Sequence, residues 1–451
     1  MEIQPEEFAQ RLTALLRDPD PAARLAKLAD VEPADLAAAC RHLTEDEAVA
    51  VLKLLPDEKS ADVLVELGDD LREDVLERLT PHEIAGVVEE MATDDAADVV
   101  SELEERKAVE VVDLLEEEGR REITHLLSYA EDSAGGIMRL EVVWVREDRT
   151  AARAIEKIRE LYGEVREDFY QVYVTSRERK LLGRIPLARL ILSDPDAHVT
   201  DVMEEVGQRA YAEEDQEEVA KTFRKYDLVS LPVVDRAGTL LGVITVDDVV
   251  DVIHEEAEED YSRLAGTDEE EFQEESIWRK AGLRLPWLVT GLVGGVLSAI
   301  VLSRFETSLR SVIALTFFVP VIMAMGGNVA IQSSAVMVRG LATGEINARD
   351  GTLRLFREMG VSIITGAVCA ALIFLAAWLW WGDLRLGIVV GGAMLSVILI
   401  STSVGAFVPL SLDRFRVDPA LATGPFVTTS NDILGILIYL TLASWVYRDI
   451  G

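Results

Sequence analysis

Near the end of the chain, Val427–Tyr447 reads VTTSNDILGILIYLTLASWVY, apolar and long enough to cross a bilayer, yet it carries Asn431 and one acid, Asp432. An ionisable group at that depth is costly unless it is hydrated, paired or functional, so Asp432 marks a cation or proton site. The alternative is an acid snorkelling at a helix start, where the helix dipole favours it. A second apolar stretch supplies neutral polar groups: Phe318-Val-Pro-Val-Ile-Met-Ala-Met-Gly-Gly-Asn-Val-Ala-Ile-Gln-Ser-Ser, with Gly327 and Asn328 near its centre. Pro320 frees a backbone carbonyl and Gly326-Gly327 loosen a helix. This segment is therefore expected to be broken in its middle and to line a cavity. Close helix packing is the other use of the two glycines.

Further carboxylates stand at helical spacings earlier in the chain. Asp94 and Asp98 lie one turn apart, and Asp62 holds in a preceding repeat the place that Asp98 holds in its own. Asp248, Asp251, Glu255 and Glu259 share one face of a helix, with Glu256 and Asp260 adjacent. Such faces are either plainly solvated or arranged for a cation. The charge is lopsided: before Arg279 there are 31 Lys and Arg against 72 Asp and Glu, and from Arg279 onward 13 against 9. This excludes nucleic acid as the main partner and favours cations. The five histidines all precede Arg279, and the two cysteines, Cys40 and Cys369, fall one in each half. Soft ligands are therefore scarce on any membrane path, and an oxygen-liking cation fits better than zinc or copper. No structural disulfide is expected between the cysteines, and the acidic start MEIQPEEFAQ is not a signal peptide.

The elements that must position these residues read as follows. Residues 1–132 run helix after helix, with a 36-residue repeat that aligns Leu43-Thr-Glu-Asp-Glu with Leu79-Thr-Pro-His-Glu. Thr44 and Thr80 are N-caps with Glu47 and Glu83 at capping-box spacing, and the period implies a superhelical stack of helical pairs. In 133–255 short β-branched runs alternate with helices, and a 59-residue repeat aligns Val174-Thr-Ser-Arg with Val233-Val-Asp-Arg. Two such β-α-β-β-α units resemble a tandem CBS pair. That module often binds adenine nucleotides through a Ser/Thr-x-x-Asp element, which Thr245-Val-Asp-Asp248 keeps; the first unit has Pro186-Leu-Ala-Arg189 and lacks the carboxylate. A linking helix over 256–284 leads to a membrane half, 285–451. Its five apolar segments are about Leu285–Ser303, Ser311–Val338, Val361–Trp381, Leu386–Leu410 and Leu421–Tyr447. Nine basic residues on the loops facing the soluble half, against four opposite, put that half in the cytoplasm and the C-terminus outside.

Pro320, Met325-Gly-Gly-Asn, Gln332-Ser, Arg339-Gly-Leu-Ala-Thr, Val417-Asp-Pro-Ala-Leu and Ser430-Asn-Asp with Gly435 together resemble the MgtE family of magnesium channels. The domain order resembles it too, over essentially the whole chain: an all-α superhelical N-domain, an α/β tandem CBS pair and an α-helical five-span transmembrane domain. The resemblance implies a homodimer in the plasma (inner) membrane, with a pore on the two-fold axis between last and second spans. It implies a pore site at Asp432, with the Thr428 backbone and Asn431 beside it and Asn328 and Gly327 on the same path. It also implies a cytosolic magnesium sensor from Asp62, Asp94, Asp98, Asp248, Asp251, Glu256, Glu259, Asp260 and the loop acid Asp418, whose filling closes the gate. Magnesium is the expected ion, with cobalt or manganese as competitors and adenine nucleotide as a further ligand at Thr245 and Asp248. No catalytic residues are expected. Magnesium prefers octahedral oxygen and dehydrates reluctantly, so two copies of Asp432 holding a hydrated ion fit its chemistry. The rival readings are an ion-coupled transporter using Asp432 as a proton or sodium relay, an anion channel, and a regulatory membrane protein without transport.

Overall fold

The computed structural model describes residues 5–17, 25, 27–161, 169–265, 267, 276–342, 346, 351–415, 417, 419 and 424–448. It divides into two units, Met1–His254 and Glu255–Gly451.

In the first unit, from Pro33 a helix begins every 12 residues: Pro33–Cys40, Glu45–Leu52, Asp57–Val65, Asp69–Arg78, Pro81–Val88, Thr93–Ser101, Glu105–Leu114 and Glu117–Leu126. The 36-residue repeat thus holds three short helices, a correction to the expected helical pair. Helices of 8 to 10 residues are marginal alone, so packing must hold them. Leu36, Val51, Val63, Leu64, Val75 and Ile84 supply it from one continuous core. Both capping boxes form. Thr44 and Thr80 each accept the N3 amide, and Glu47 and Glu83 reach back to the cap N–H at 3.2 and 2.9 Å.

Each CBS unit folds around a three-stranded sheet: β1 (Trp144–Arg146), β2 (Gln171–Thr175) and β3 (Leu181–Pro186), then β4 (Ala210–Tyr211), β5 (Ser230–Val234) and β6 (Leu240–Thr245). In both, the first two strands pair parallel and the last two antiparallel. The 59-residue repeat is visible as pairing: Leu181 N–H donates to Gly238 O at 3.0 Å and Leu240 N–H to Arg179 O at 2.9 Å. Gly242 in β6 permits a further strand-like crossing. A Cβ there would sit 2.5 Å from the carbonyl oxygen of Arg139, and without one Arg139 and Val243 exchange both backbone hydrogen bonds, at 2.9 and 3.0 Å.

Among the described residues, the second unit contains five helices long and apolar enough to cross a membrane: Ile277–Ser303, Ala314–Ala342, Gly351–Trp381, Leu384–Arg414 and Pro425–Val446. The fourth is the hub. Its apolar window is 56 % buried, against 11 % for the first and third, because the second, third and fifth spans pack around it. The second span is one continuous helix of 29 residues with Pro320 inside it, which corrects the expected break at mid-segment. Pro320 lies in its second turn, and Gly326 is spent on helix packing.

Candidate functional site

The fifth span opens with Pro425 at its first turn, which makes Asp432 its eighth residue. That is two turns in, beyond the reach of the helix-start dipole, so the snorkelling alternative loses its support. Asp432 is half-buried, and among the described residues its carboxylate makes no ion pair or hydrogen bond. Thr428, one turn earlier, is also half-buried, and its hydroxyl donates to Gly424 O at 3.1 Å.

Asn431 turns the other way. It is 2 % exposed, its Oδ1 accepts from Ser401 of the fourth span, and a Cβ on Gly326 would sit 2.7 Å from its Nδ2. The side chain therefore bonds the fourth span and packs against the second inside one copy, with its Nδ2 buried and without a hydrogen-bond partner among the described residues. Tyr439 adds a link, donating to Leu315 O at 2.8 Å. On the second span Asn328 is exposed and Gly327 has open space where a Cβ would go. The structure thus separates the five membrane residues into an inward one, Asn431, and four with open or half-open surroundings.

In the soluble unit the helix Thr93–Ser101 separates Asp94 from Asp98: Asp94 is 5 % exposed and Asp98 faces solvent, as does Asp62. Asp94 meets Arg139, whose Nε lies 3.4 Å from its Oδ2. The same guanidinium donates to Asp248 Oδ1 at 2.8 Å and reaches Asp247 Oδ2 at 3.4 Å. Asp248 Oδ2 accepts from the Thr245 N–H at 3.0 Å and hydroxyl at 2.7 Å, which caps the helix Val246–Ala265. Both Asp248 oxygens are thereby engaged. A second tie runs alongside: Thr93 N–H and hydroxyl donate to Glu141 at 3.1 and 2.7 Å, and Leu140 N–H donates to the Thr93 hydroxyl at 2.8 Å.

Burial, then Asp248, pushes the Asp94 carboxyl well above its usual range, with Arg139 opposing. Burial and Asp248 likewise push Asp95 up to about 6. Arg139 was not foreseen from sequence. Its one signal was a lone basic residue within the apolar run Ile137-Met-Arg-Leu140 of a very acidic half.

A cavity of about 390 Å³ adjoins this junction, lined by Phe169, Tyr170, Gln171, Ser230 and Thr245 on one side and by Asp62, Glu89, Glu90 and Asp95 on the other. Asp251, farther along the helix from Asp248, is exposed. Glu256 is half-buried, Glu259 pairs with Arg263 on its own helix, and Asp260 is carried by that helix. Asp418 lies outside the described residues. Among the described residues, no three His, Cys, Asp or Glu side chains gather as a ready metal cage.

Residues 319–442 match the family described as "Divalent cation transporter" (MgtE), 31–132 match "MgtE intracellular N domain", and 199–255 match "CBS domain". The magnesium transporter MgtE of Bacillus subtilis (strain 168) is 38 % identical over 319 residues, 71 % of this chain and 70 % of that protein. The chain belongs to the MgtE family. The magnesium transporter MgtE of Thermus thermophilus is 37 % identical over 324 residues, 70 % of this chain and 71 % of that one. Among solved structures, the cytosolic domain of the Mg²⁺ channel MgtE in complex with ATP matches at a TM-score of 0.52 and 35 % identity, over 54 % of this chain and 99 % of that one. The soluble part of a magnesium transporter matches equally well, at 0.52 and 30 % identity over 56 % and 100 %. This MgtE-family chain is thus a multi-pass membrane protein with an intracellular N-terminal domain, of transporter or channel kind.

Proposed function

We propose that the chain forms a homodimer that passes hydrated magnesium across the plasma membrane and closes when cytosolic magnesium fills its acidic half. The observation that carries this is Asp432: an acid two turns inside an apolar helix, half-exposed in a single copy and without an ion pair among the described residues. Two copies brought together on a two-fold axis would match the charge of one divalent ion. Thr428 would add oxygen, and Asn328 and Gly327 would form the facing wall. A hard cation held through its water shell needs few direct ligands, which agrees with so sparse a donor set. Asn431 then serves by fixing the fifth span to the fourth, through the buried Oδ1 that accepts from Ser401.

On the cytosolic side the sensing acids are Asp62, Asp94, Asp98, Asp248 and Asp251, with Glu256, Glu259, Asp260 and Asp418 on the stretch leading to and within the membrane half. Residues 1–132, 133–255, 256–284 and 285–451 act as sensing N-domain, CBS pair, coupling segment and pore, with the C-terminus outside. Several weak sites suit this task, because a ligand shifts a conformational equilibrium only by its preference for one state. Adenine nucleotide is proposed for the cavity beside Phe169, Tyr170 and Thr245.

The test is magnesium flux from purified protein in liposomes at varied internal magnesium, with proton and sodium gradients set independently. Flux that falls as internal magnesium rises and ignores both gradients supports a channel. Flux that needs either gradient makes Asp432 a relay in a coupled transporter. Cobalt and manganese in the same assay give the selectivity.

A further inference from the structure

Three aspartates from two separate elements converge on one guanidinium in the soluble unit. Asp94 comes from the helix Thr93–Ser101, and Asp247 and Asp248 from the first turn of Val246–Ala265. The cation between them is not a surface arginine that happens to swing in. Its backbone is locked to Val243 by two hydrogen bonds over Gly242, and the residue is only 6 % exposed. A buried guanidinium with carboxylates on several sides is held firmly charged, and here Asp94, Asp248 and Asp247 all act in that direction against the cost of burial. Asp94 also retains one buried oxygen, Oδ1, with no hydrogen-bond partner, so its lone pairs are not exhausted by the arginine.

Acids this close repel one another unless a cation or a proton stands between them. A divalent ion could do that work, and so can a fixed arginine, whose forked donors suit carboxylates. We propose that Arg139 is a resident cation occupying the place an ion would take, so that the helical N-domain and the second CBS unit join at Asp94 and Asp248 without magnesium. The proposal rests on the magnesium-regulated reading above and takes two acids out of its sensor set: Asp94 and Asp248 become a permanent clasp, and the ion response belongs to the other acids. It predicts that deleting the arginine converts the clasp into a magnesium-dependent one.

The test is hydrogen exchange of the full-length protein in lipid nanodiscs, followed at peptides covering 93–101 and 137–143, in chelator and in millimolar magnesium. In the unmodified protein, exchange there is expected to be equally slow in both. In Arg139→Met it is expected to quicken about tenfold or more in chelator, because three acids are left facing one another, and to slow again when magnesium is added. Arg139→Lys, which keeps a cation, stays insensitive to magnesium. Exchange in the unmodified protein that slows on adding magnesium overturns the proposal, and this arm needs no variant to fold. So does an Arg139→Met protein as protected in chelator as its parent, or one that magnesium fails to slow. None of these readings involves transport, so a failed clasp and a failed transport assignment are told apart.

Discussion

Asp94 and Asp432 are both aspartates drawn out of water, and their surroundings are opposite. Asp94 sits in the half of the chain crowded with acids, yet a buried arginine stands against it and the neighbouring Asp248 is doubly bonded. Asp432 sits in the half with little charge, half-exposed on its helix, with no ion pair among the described residues. Acid density therefore says little about where a mobile ion is needed. The crowded carboxylate has been given a partner by the fold, whereas the isolated one has none among the described residues, which is what the proposed ion site calls for.

The sharpest way to break this contrast is Asp432→Asn. It removes the only charge the fifth span brings to mid-helix while keeping size, and magnesium flux is expected to fall about 100-fold or more, ~3 kcal/mol. Flux within a few-fold of the parent would place the ion path elsewhere. Folding should barely notice, since the carboxylate makes no bond among the described residues.

The mirror experiment is Asp248→Ala, where the acid has internal bonds to lose. One oxygen caps a helix through Thr245 and the other holds Arg139, so removal leaves a buried guanidinium short of a partner. The expected cost is about 2–3 kcal/mol in the stability of the soluble unit, read by thermal or denaturant unfolding of the whole protein. An unchanged midpoint would mean the junction is not the clasp it resembles.

These two aspartates also show what was legible in sequence. Asp432 stood out because an acid in an apolar run is a strong signal that needs no partner to be read. Helix periodicity, capping boxes at Thr44 and Thr80, tandem β-α-β-β-α units and five spans were legible for the same reason: each is local. Arg139 was invisible because its meaning is set by residues about 45 and 109 positions away, through a strand crossing that only Gly242 permits. Gly326 misled in the opposite sense. A Gly-Gly pair beside a proline looks like a break, but here Gly326 makes room for Asn431 in an unbroken helix.

That reading of the glycines separates them. Gly326→Ala forces a methyl group to within 2.7 Å of the Asn431 amide and is expected to destabilise the bundle by about 1–3 kcal/mol. Gly327→Ala meets nothing within 4 Å in one copy and should leave the melting temperature in detergent unmoved or slightly raised. If Gly327 does line the proposed path, its alanine variant changes flux without changing stability. Equal destabilisation by both would return the pair to a purely structural role.

The smallest effect tests a third kind of acid, one that is exposed yet still fixed. Glu83 accepts the Thr80 cap N–H at 2.9 Å and pairs with Lys53 at 2.9 Å, and these hold its carboxyl down to about 2. A depressed acid stabilises the fold only while it is ionised. Its contribution is therefore complete above the ordinary glutamate range near 4.5 and drains away as pH falls through about 2. Because the side chain is well exposed, solvent screens it, and Glu83→Gln should cost no more than about 1 kcal/mol at neutral pH. The difference from the parent should shrink steadily between pH 4.5 and 2 and vanish below that. A gap that persists in acid would show that the cap acts through shape and not through charge, which would set Glu83 apart from Asp94 and Asp432 alike.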